Sequence, residues 1–307
     1  MAKPADKMLK KTTGAILVLF CFLGGIDASA ETVSIPYNEL TLTGELTLSE
    51  GRSLNDGVIL MTHGTLGHGK METLSDLQAV FAERGWNSLS ITLSLDRNRR
   101  QGFYPCRTRH THQHTDALDE ISAWIDWLKS KGATNVVLLG HSRGGNQTAW
   151  FAAERPDPSV SHVVLLAPTT WSLGKAIKDY ADRYEKLLDR VIAKAEKAIA
   201  EGRGGQTIEY MSLLYCPCTD ATPKSFLSYH KPDPRFHTPN LLPQIKVPTL
   251  VIAGSADKVV TDLPEAVPPL AAKSKSLSFT LIDDADHFFR DLYAEDIADA
   301  MEALFSR

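Results

Sequence analysis

Ser142 lies in "GHSRGG" (residues 140–145), where Gly140, Ser142 and Gly144 fit the spacing G-x-S-x-G. Alone this spacing is a weak signal, because three fixed residues of common types recur by accident. Its surroundings strengthen it. "NVVLL" precedes the motif and "GNQTAWFAAE" follows it, so the serine falls on a sharp turn between a buried strand and a helix. A serine hydroxyl is a poor nucleophile at neutral pH. It needs a histidine to take its proton and a carboxylate to hold that histidine in the right tautomer. Downstream, Asp257 follows the apolar run "TLVIAG" and His287 follows "SFTLI", giving the order Ser, Asp, His, each just past a strand's C-terminal end. Catalytic loops gather at that end of an open parallel sheet. Singly, Ser142 also reads as a helix N-cap, Asp257 as a turn residue and His287 as a surface histidine; their joint order favours nucleophilic acyl transfer.

A second group lies in "SLDRNRRQGFYPCRTRHTHQH" (residues 94–114). Connections this long in compact domains are functional or disordered. It leaves a strand on the catalytic side, so its arginines, Arg107 and Arg109 foremost, are candidates for binding a substrate carboxylate or phosphate. Solvated charges paired with nearby acids are the competing account. His110, His112 and His114 alternate as ligands on a strand would, and neutral imidazoles suit zinc. No carboxylate or cysteine has a matching spacing, so no metal is assigned and no cofactor is expected. Cys106 lies in the same loop, and Cys216 and Cys218 form "CPC" further on. A bridge from Cys106 to Cys216 or Cys218 would pin the loop to that distant segment; a local bridge between Cys216 and Cys218 is the alternative.

These residues need a frame. "TVSIPYNELTLTGELTLS" (32–49) alternates apolar and polar residues about Gly44 and predicts an antiparallel hairpin at a sheet edge. After it, short apolar runs at 57–62, 87–93, 135–140, 162–167, 248–254 and 276–282 alternate with helical patterns, at Leu74–Arg84, Asp116–Lys131, from Arg143 onward and at the C-terminus. Strands so short and apolar are buried on both faces, and the alternation builds a parallel sheet through right-handed crossovers. The fold class is therefore α/β, with a mostly parallel central sheet and an antiparallel N-terminal edge. Between residues 168 and 247 the alternation breaks. There Ile177, Tyr180, Tyr184, Leu187, Leu188, Val191, Ala195 and Ile199 keep a 3.6-residue period that predicts a long helix, ending at "EGRGG", in an inserted helical cap.

Through "THGTLGHG", "GHSRGG", "AGSADKVV" and "DADHFF", the chain resembles the α/β-hydrolase superfamily from about Gly57 to Leu304. The resemblance implies Ser142 as nucleophile, Asp257 as acid and His287 as base. It also implies an oxyanion loop after His63-Gly64, with the backbone N–H groups of Thr65 and Arg143 as donors. His63 itself is read as a packing residue that orders its loop in preference to a catalytic base. Near His287 the family more often has glycine where this chain has Asp284 and Asp286; Asp257 is favoured as the acid because its loop position matches. The expected core is residues 31–167 and 248–307, with the cap at 168–247. The expected activity is carboxylic-ester hydrolysis on a small-molecule substrate. Amidase, thioesterase and acyltransferase chemistry run on the same three residues. A non-catalytic binding protein using "HTHQH" and "CPC" for metal or thiol chemistry is the alternative from another class.

Composition agrees with an enzyme-sized globular chain of 307 residues, 43% hydrophobic and 23% charged. At the start, Lys3, Lys7, Lys10 and Lys11 precede "GAILVLFCFLGGI" and then "DASA". This is the pattern of a signal peptide (residues 1–30) cleaved after Ala30, giving an exported, periplasmic or secreted protein with no lasting membrane span. The residues before Cys21 lack a lipobox. Net charge is −4, and removing residues 1–30 takes away more lysines than aspartates, which argues against nucleic-acid binding.

Overall fold

The computed structural model describes residues 1–2 and 30–306. The expected signal peptide lies outside the described residues apart from Met1, Ala2 and Ala30. The chain runs β1 (Ala30–Tyr37), β2 (Leu40–Thr47), β3 (Val58–Thr62), α1 (Glu72–Glu83), β4 (Ser88–Thr92), α2 (Asp116–Ser130), β5 (Val136–His141), α3 (Arg143–Glu154) and β6 (Val160–Leu166). It continues through α4 (Leu173–Tyr184), α5 (Leu188–Ala200), α6 (Pro223–His230), β7 (Thr249–Gly254), the single turns α7 (Leu263–Ala266) and α8 (Pro268–Ala271), β8 (Leu277–Ile282) and α9 (Tyr293–Phe305).

Every residue of β3, β4, β5 and β7 is buried, as a sheet covered on both faces demands. The eight strands form one sheet in the order β1-β2-β4-β3-β5-β6-β7-β8. Pairing from β4 to β8 is parallel, whereas β1–β2 and β2–β4 are antiparallel. One face packs on α2 and α3, around Trp124, Leu128 and Phe151; the other packs on α1 and α9, around Phe81, Ile297 and Met301. Side chains on successive strand residues point to opposite faces, so an all-apolar strand feeds both cores at once.

Two sequence expectations need correction. The hairpin exists, but its turn is at Asn38-Glu39, with Asn38 at φ 49°, not at Gly44. Gly44 sits inside β2, where an added Cβ would come to 3.0 Å of Leu89 and 3.4 Å of Trp124. It is glycine because α2 presses its indole onto the sheet there. The long helix is also two helices, because Glu185 adopts a left-handed conformation (φ 54°) that ends α4 and lets the chain turn into α5. The segment between β6 and β7 then encloses an apolar cluster of its own around Tyr180, Leu188, Leu213, Phe226 and Tyr229, with Leu66 packing against both it and the main core.

Candidate active site

Ser142 stands between β5 and α3 with φ 56° and ψ −121°, in the half of conformational space that a side chain tolerates poorly. The surroundings impose this turn. An added Cβ on Gly140 would collide with the Gly144 carbonyl oxygen and with Thr148, and one on Gly144 would collide with the His63 carbonyl oxygen. The strand end and helix start therefore approach more closely than any other residue type permits. Backbone bonds hold the bend: Ser142 N–H donates to Leu166 O (2.9 Å), and Ser142 O accepts from Thr169 N–H (3.1 Å) and Asn146 N–H (3.2 Å).

Of the ten histidines, His287 reaches the serine. Its Nε2 is 2.9 Å from Ser142 Oγ and its Nδ1 is 2.8 Å from Asp257 Oδ2. A carboxylate only accepts, so Nδ1 carries the proton, and Nε2 is left as the acceptor for the serine hydroxyl. Asp257 Oδ1 accepts from Val259 N–H (2.7 Å) and Val260 N–H (3.0 Å). Burial alone would raise the Asp257 carboxyl. The bonds from His287, Val260 and Val259 outweigh burial and hold it below the usual carboxylate range. All three side chains are buried. Asp284 is exposed, and Asp286 pairs with Arg290 and accepts from Phe288 N–H, so neither contacts the imidazole. His141, beside Ser142 in the chain, donates from Nε2 to the His287 carbonyl oxygen (2.8 Å). Burial, with the neighbouring His287, lowers His141 to about 4 and keeps its ring neutral.

The loop after β3 lies against the serine, since an added Cβ on Gly64 would sit 3.1 Å from Ser142 Cβ. Among the described residues, the backbone N–H of Thr65 and that of Arg143 make no hydrogen bond. As the first residue of α3, Arg143 has an N–H beyond the reach of its own helix's carbonyls. His63 is buried and binds through both nitrogens: Nδ1–H donates to Gly64 O (2.7 Å), while Nε2 accepts from Leu93 N–H (3.1 Å) and from Arg100 Nη2 (3.0 Å). Burial and the adjacent Arg100 push His63 well below its ordinary value, so it is a neutral strut. Arg100 donates to Leu93 O (2.6 Å), Gly67 O (2.7 Å) and Gly102 O (2.7 Å), and burial lowers it to about 10. A serine hydroxyl, an acceptor imidazole, an ionised carboxylate and two free N–H groups are together the parts that acyl transfer needs.

Residues 59–300 match the model of the alpha/beta hydrolase family. The chain belongs to that family. Phospholipase YtpA of Bacillus subtilis is 27% identical over 122 residues, which are 39% of this chain and 42% of the relative. Matches to the curated relatives span 14% and 42% of their lengths. Among solved structures, Est1E from Butyrivibrio proteoclasticus is similar at a TM-score of 0.61 with 16% identity, covering 90% of this chain and 99% of that one. A monoacylglycerol lipase from Paleococcus ferrophilus is similar at 0.57 with 18% identity, covering 86% and 98%. At such identities these likenesses speak for the fold.

The second group of sequence candidates is placed differently in this family member. Arg107 and Arg109 are exposed, Arg109 bonding Thr207 (3.2 Å), and neither lines the cleft of about 410 Å³ between the β6–β7 segment and the strand ends. The Cys106–Cys216 disulfide ties their stretch of loop to the segment between β6 and β7 and leaves Cys218 free and exposed. The arginines that do line the cleft are Arg183 and Arg143, the latter singled out from the sequence for its backbone alone. His110, His112 and His114 are buried. His110 Nδ1 pairs with His112 Nε2 (3.0 Å), His112 Nδ1 pairs with the Tyr229 hydroxyl (2.7 Å), and His114 Nε2 donates to Asn146 (3.1 Å). They pack the loop onto α6 and α3, and no group of three or more metal-ligating side chains occurs among the described residues. Sequence reasoning passed over His141 and Arg100. One is the unspecified second position of the motif, and the other is one of five similar arginines in a single loop.

Proposed function

We propose that this protein is an exported serine hydrolase of carboxylic esters. One observation carries the reading: the unbroken hydrogen-bonded series Ser142 Oγ to His287 Nε2 and His287 Nδ1 to Asp257, beside two unpartnered N–H groups. In the proposed reaction Ser142 Oγ attacks the acyl carbon and His287 Nε2 takes its proton. The carbonyl oxygen becomes an oxyanion received by the N–H groups of Thr65 and Arg143; losing one such donor costs roughly 3 to 4 kcal/mol of barrier reduction. The protonated imidazole returns its proton to the leaving alkoxide oxygen. Water, deprotonated by His287, then cleaves the acyl-Ser142 ester and restores the enzyme. Residues 168–247 serve as a cap that shapes the substrate cleft. Likeness to a monoacylglycerol lipase agrees with ester chemistry, and the Cys106–Cys216 bond agrees with an oxidising compartment. A fluorophosphonate probe tests the assignment: it should label the wild type on Ser142, and Ser142→Ala should lose both labelling and hydrolysis of short activated esters while keeping its melting temperature. Full residual hydrolysis in Ser142→Ala would refute it.

A further inference from the structure

Arg143 has a side chain that the reaction above does not use. Its side chain is half-buried in the cleft wall, and desolvation lowers its pKa below the ordinary arginine value. Its one hydrogen bond runs from Nε to Thr65 Oγ1 (3.0 Å), and its carbon lies 5.5 Å from the Tyr229 ring centroid. Among the described residues it has no ion pair, so both terminal nitrogens lack a partner. A half-buried guanidinium with no carboxylate beside it is only partly compensated, and its planar fork of donors, open to the cleft, matches a carboxylate or phosphate edge.

The cleft repeats the same chemistry. Besides Arg143 it is lined by Arg183, Lys258 and Lys175, against a single acid, Asp179, which Lys175 already engages at 2.8 Å. Arg183 stacks over Tyr215 at 4.2 Å and, like Lys258, has no acidic partner among the described residues. A chain of net charge −4 thus gathers the unpaired cations Arg143, Arg183 and Lys258 around one concave surface, which includes the residue that follows Ser142. Low-dielectric walls concentrate such a field on an incoming anion.

We infer that the ester substrate carries an anionic group, a carboxylate or a phosphate, which seats on the Arg143 guanidinium with Arg183 and Lys258 at its approach. This rests on the ester-hydrolase reading and narrows it to a substrate class. Two matched pairs test it by kcat/KM: p-nitrophenyl hydrogen glutarate against p-nitrophenyl valerate, and 1-butyrylglycerol 3-phosphate against 1-butyrylglycerol. The charged member of at least one pair should be favoured, and Arg143→Met should reduce that preference about 10- to 100-fold, the worth of a charged hydrogen-bonded contact. The pair that responds distinguishes carboxylate from phosphate. Arg183→Gln should move the same ratio less, and serves if Arg143→Met does not fold. Equal rates within both pairs, in an enzyme whose Ser142 is still labelled by the fluorophosphonate, would overturn the anion inference alone. If Ser142 is not labelled, the hydrolase reading fails, and titration of tryptophan fluorescence with glutarate and with inorganic phosphate still decides the anion site: binding that Arg143→Met weakens supports it, and no binding overturns it.

Discussion

Ser142 occupies a backbone conformation costing about 1–3 kcal/mol, and the close approach of Gly140 and Gly144 sustains it. The geometry around His287 makes a sharper claim at this scale. Asp257 does two things: Oδ1 anchors its own loop on Val259 and Val260, and Oδ2 accepts the Nδ1 proton. Asp257→Asn preserves the first role and inverts the second, because an amide N–H facing Nδ1 selects the tautomer that protonates Nε2, which then cannot accept from Ser142. Ester turnover should fall by roughly 10⁴-fold with little change in melting temperature; a loss below tenfold would assign the acid elsewhere. That Ser142, Asp257 and His287 each follow a strand was legible in the sequence; that their side chains meet is what the structure adds. Asp257, and neither Asp284 nor Asp286, lies within hydrogen-bonding distance of His287, a distance that tertiary packing sets.

Elements act here through the loops at the ends of β3 and β4. Arg100 ties the carbonyls of Leu93, Gly67 and Gly102 together and touches His63, whose other nitrogen holds Gly64 against Ser142. Arg100→Met leaves these buried acceptors unpaired, at about 1–3 kcal/mol each for the strongest. Because the loop carries a proposed oxyanion donor and not the cleft wall, steady-state kinetics should show kcat falling well beyond any change in KM; a pure KM effect would place Arg100 at the substrate instead. The Cys106–Cys216 bond closes a separation of 110 residues and joins the connection after β4, which also carries Arg100, to the segment between β6 and β7. Chain-entropy arguments give such a closure about 3–5 kcal/mol, so Cys216→Ser should melt at a clearly lower temperature than the oxidised wild type, and reductant should lower the wild type alone. Neither Arg100's burial nor the cysteine pairing is written in local sequence. The loop offers five arginines of one kind, and "CPC" offers two thiols to Cys106.

At the scale of the whole molecule, the buried imidazoles set how stability varies with pH. Burial lowers His110 and His141 to about 4 and His114 and His230 to about 3, and pushes His63 and His112 well below 6.5. The unfolded chain takes up these protons near pH 6.5 and the folded chain does not, so their contribution is present above that pH and is lost as pH falls toward 4. Glu120 works the other way: burial, against bonds from Ser94, raises it to about 7, so its contribution is full below about 4.5 and fades as pH rises through 7. The six enclosed imidazoles oppose Glu120, and the urea midpoint should drop between pH 7 and pH 5; Glu120→Gln should deepen that drop by removing the opposing carboxylate. A midpoint that rises toward pH 5 would mean that the imidazoles are hydrated and not enclosed. The sequence by itself determined the α/β alternation, the strand ends and the order Ser142, Asp257, His287, because periodicity and motif are properties of neighbouring residues. The tertiary structure decided which acid meets His287, which cysteines pair, that Arg107 and Arg109 face solvent while Arg143 and Arg100 turn inward, and where the helix after β6 breaks. Those outcomes depend on the distances at which segments far apart in the chain pack, and no local pattern encodes such a distance.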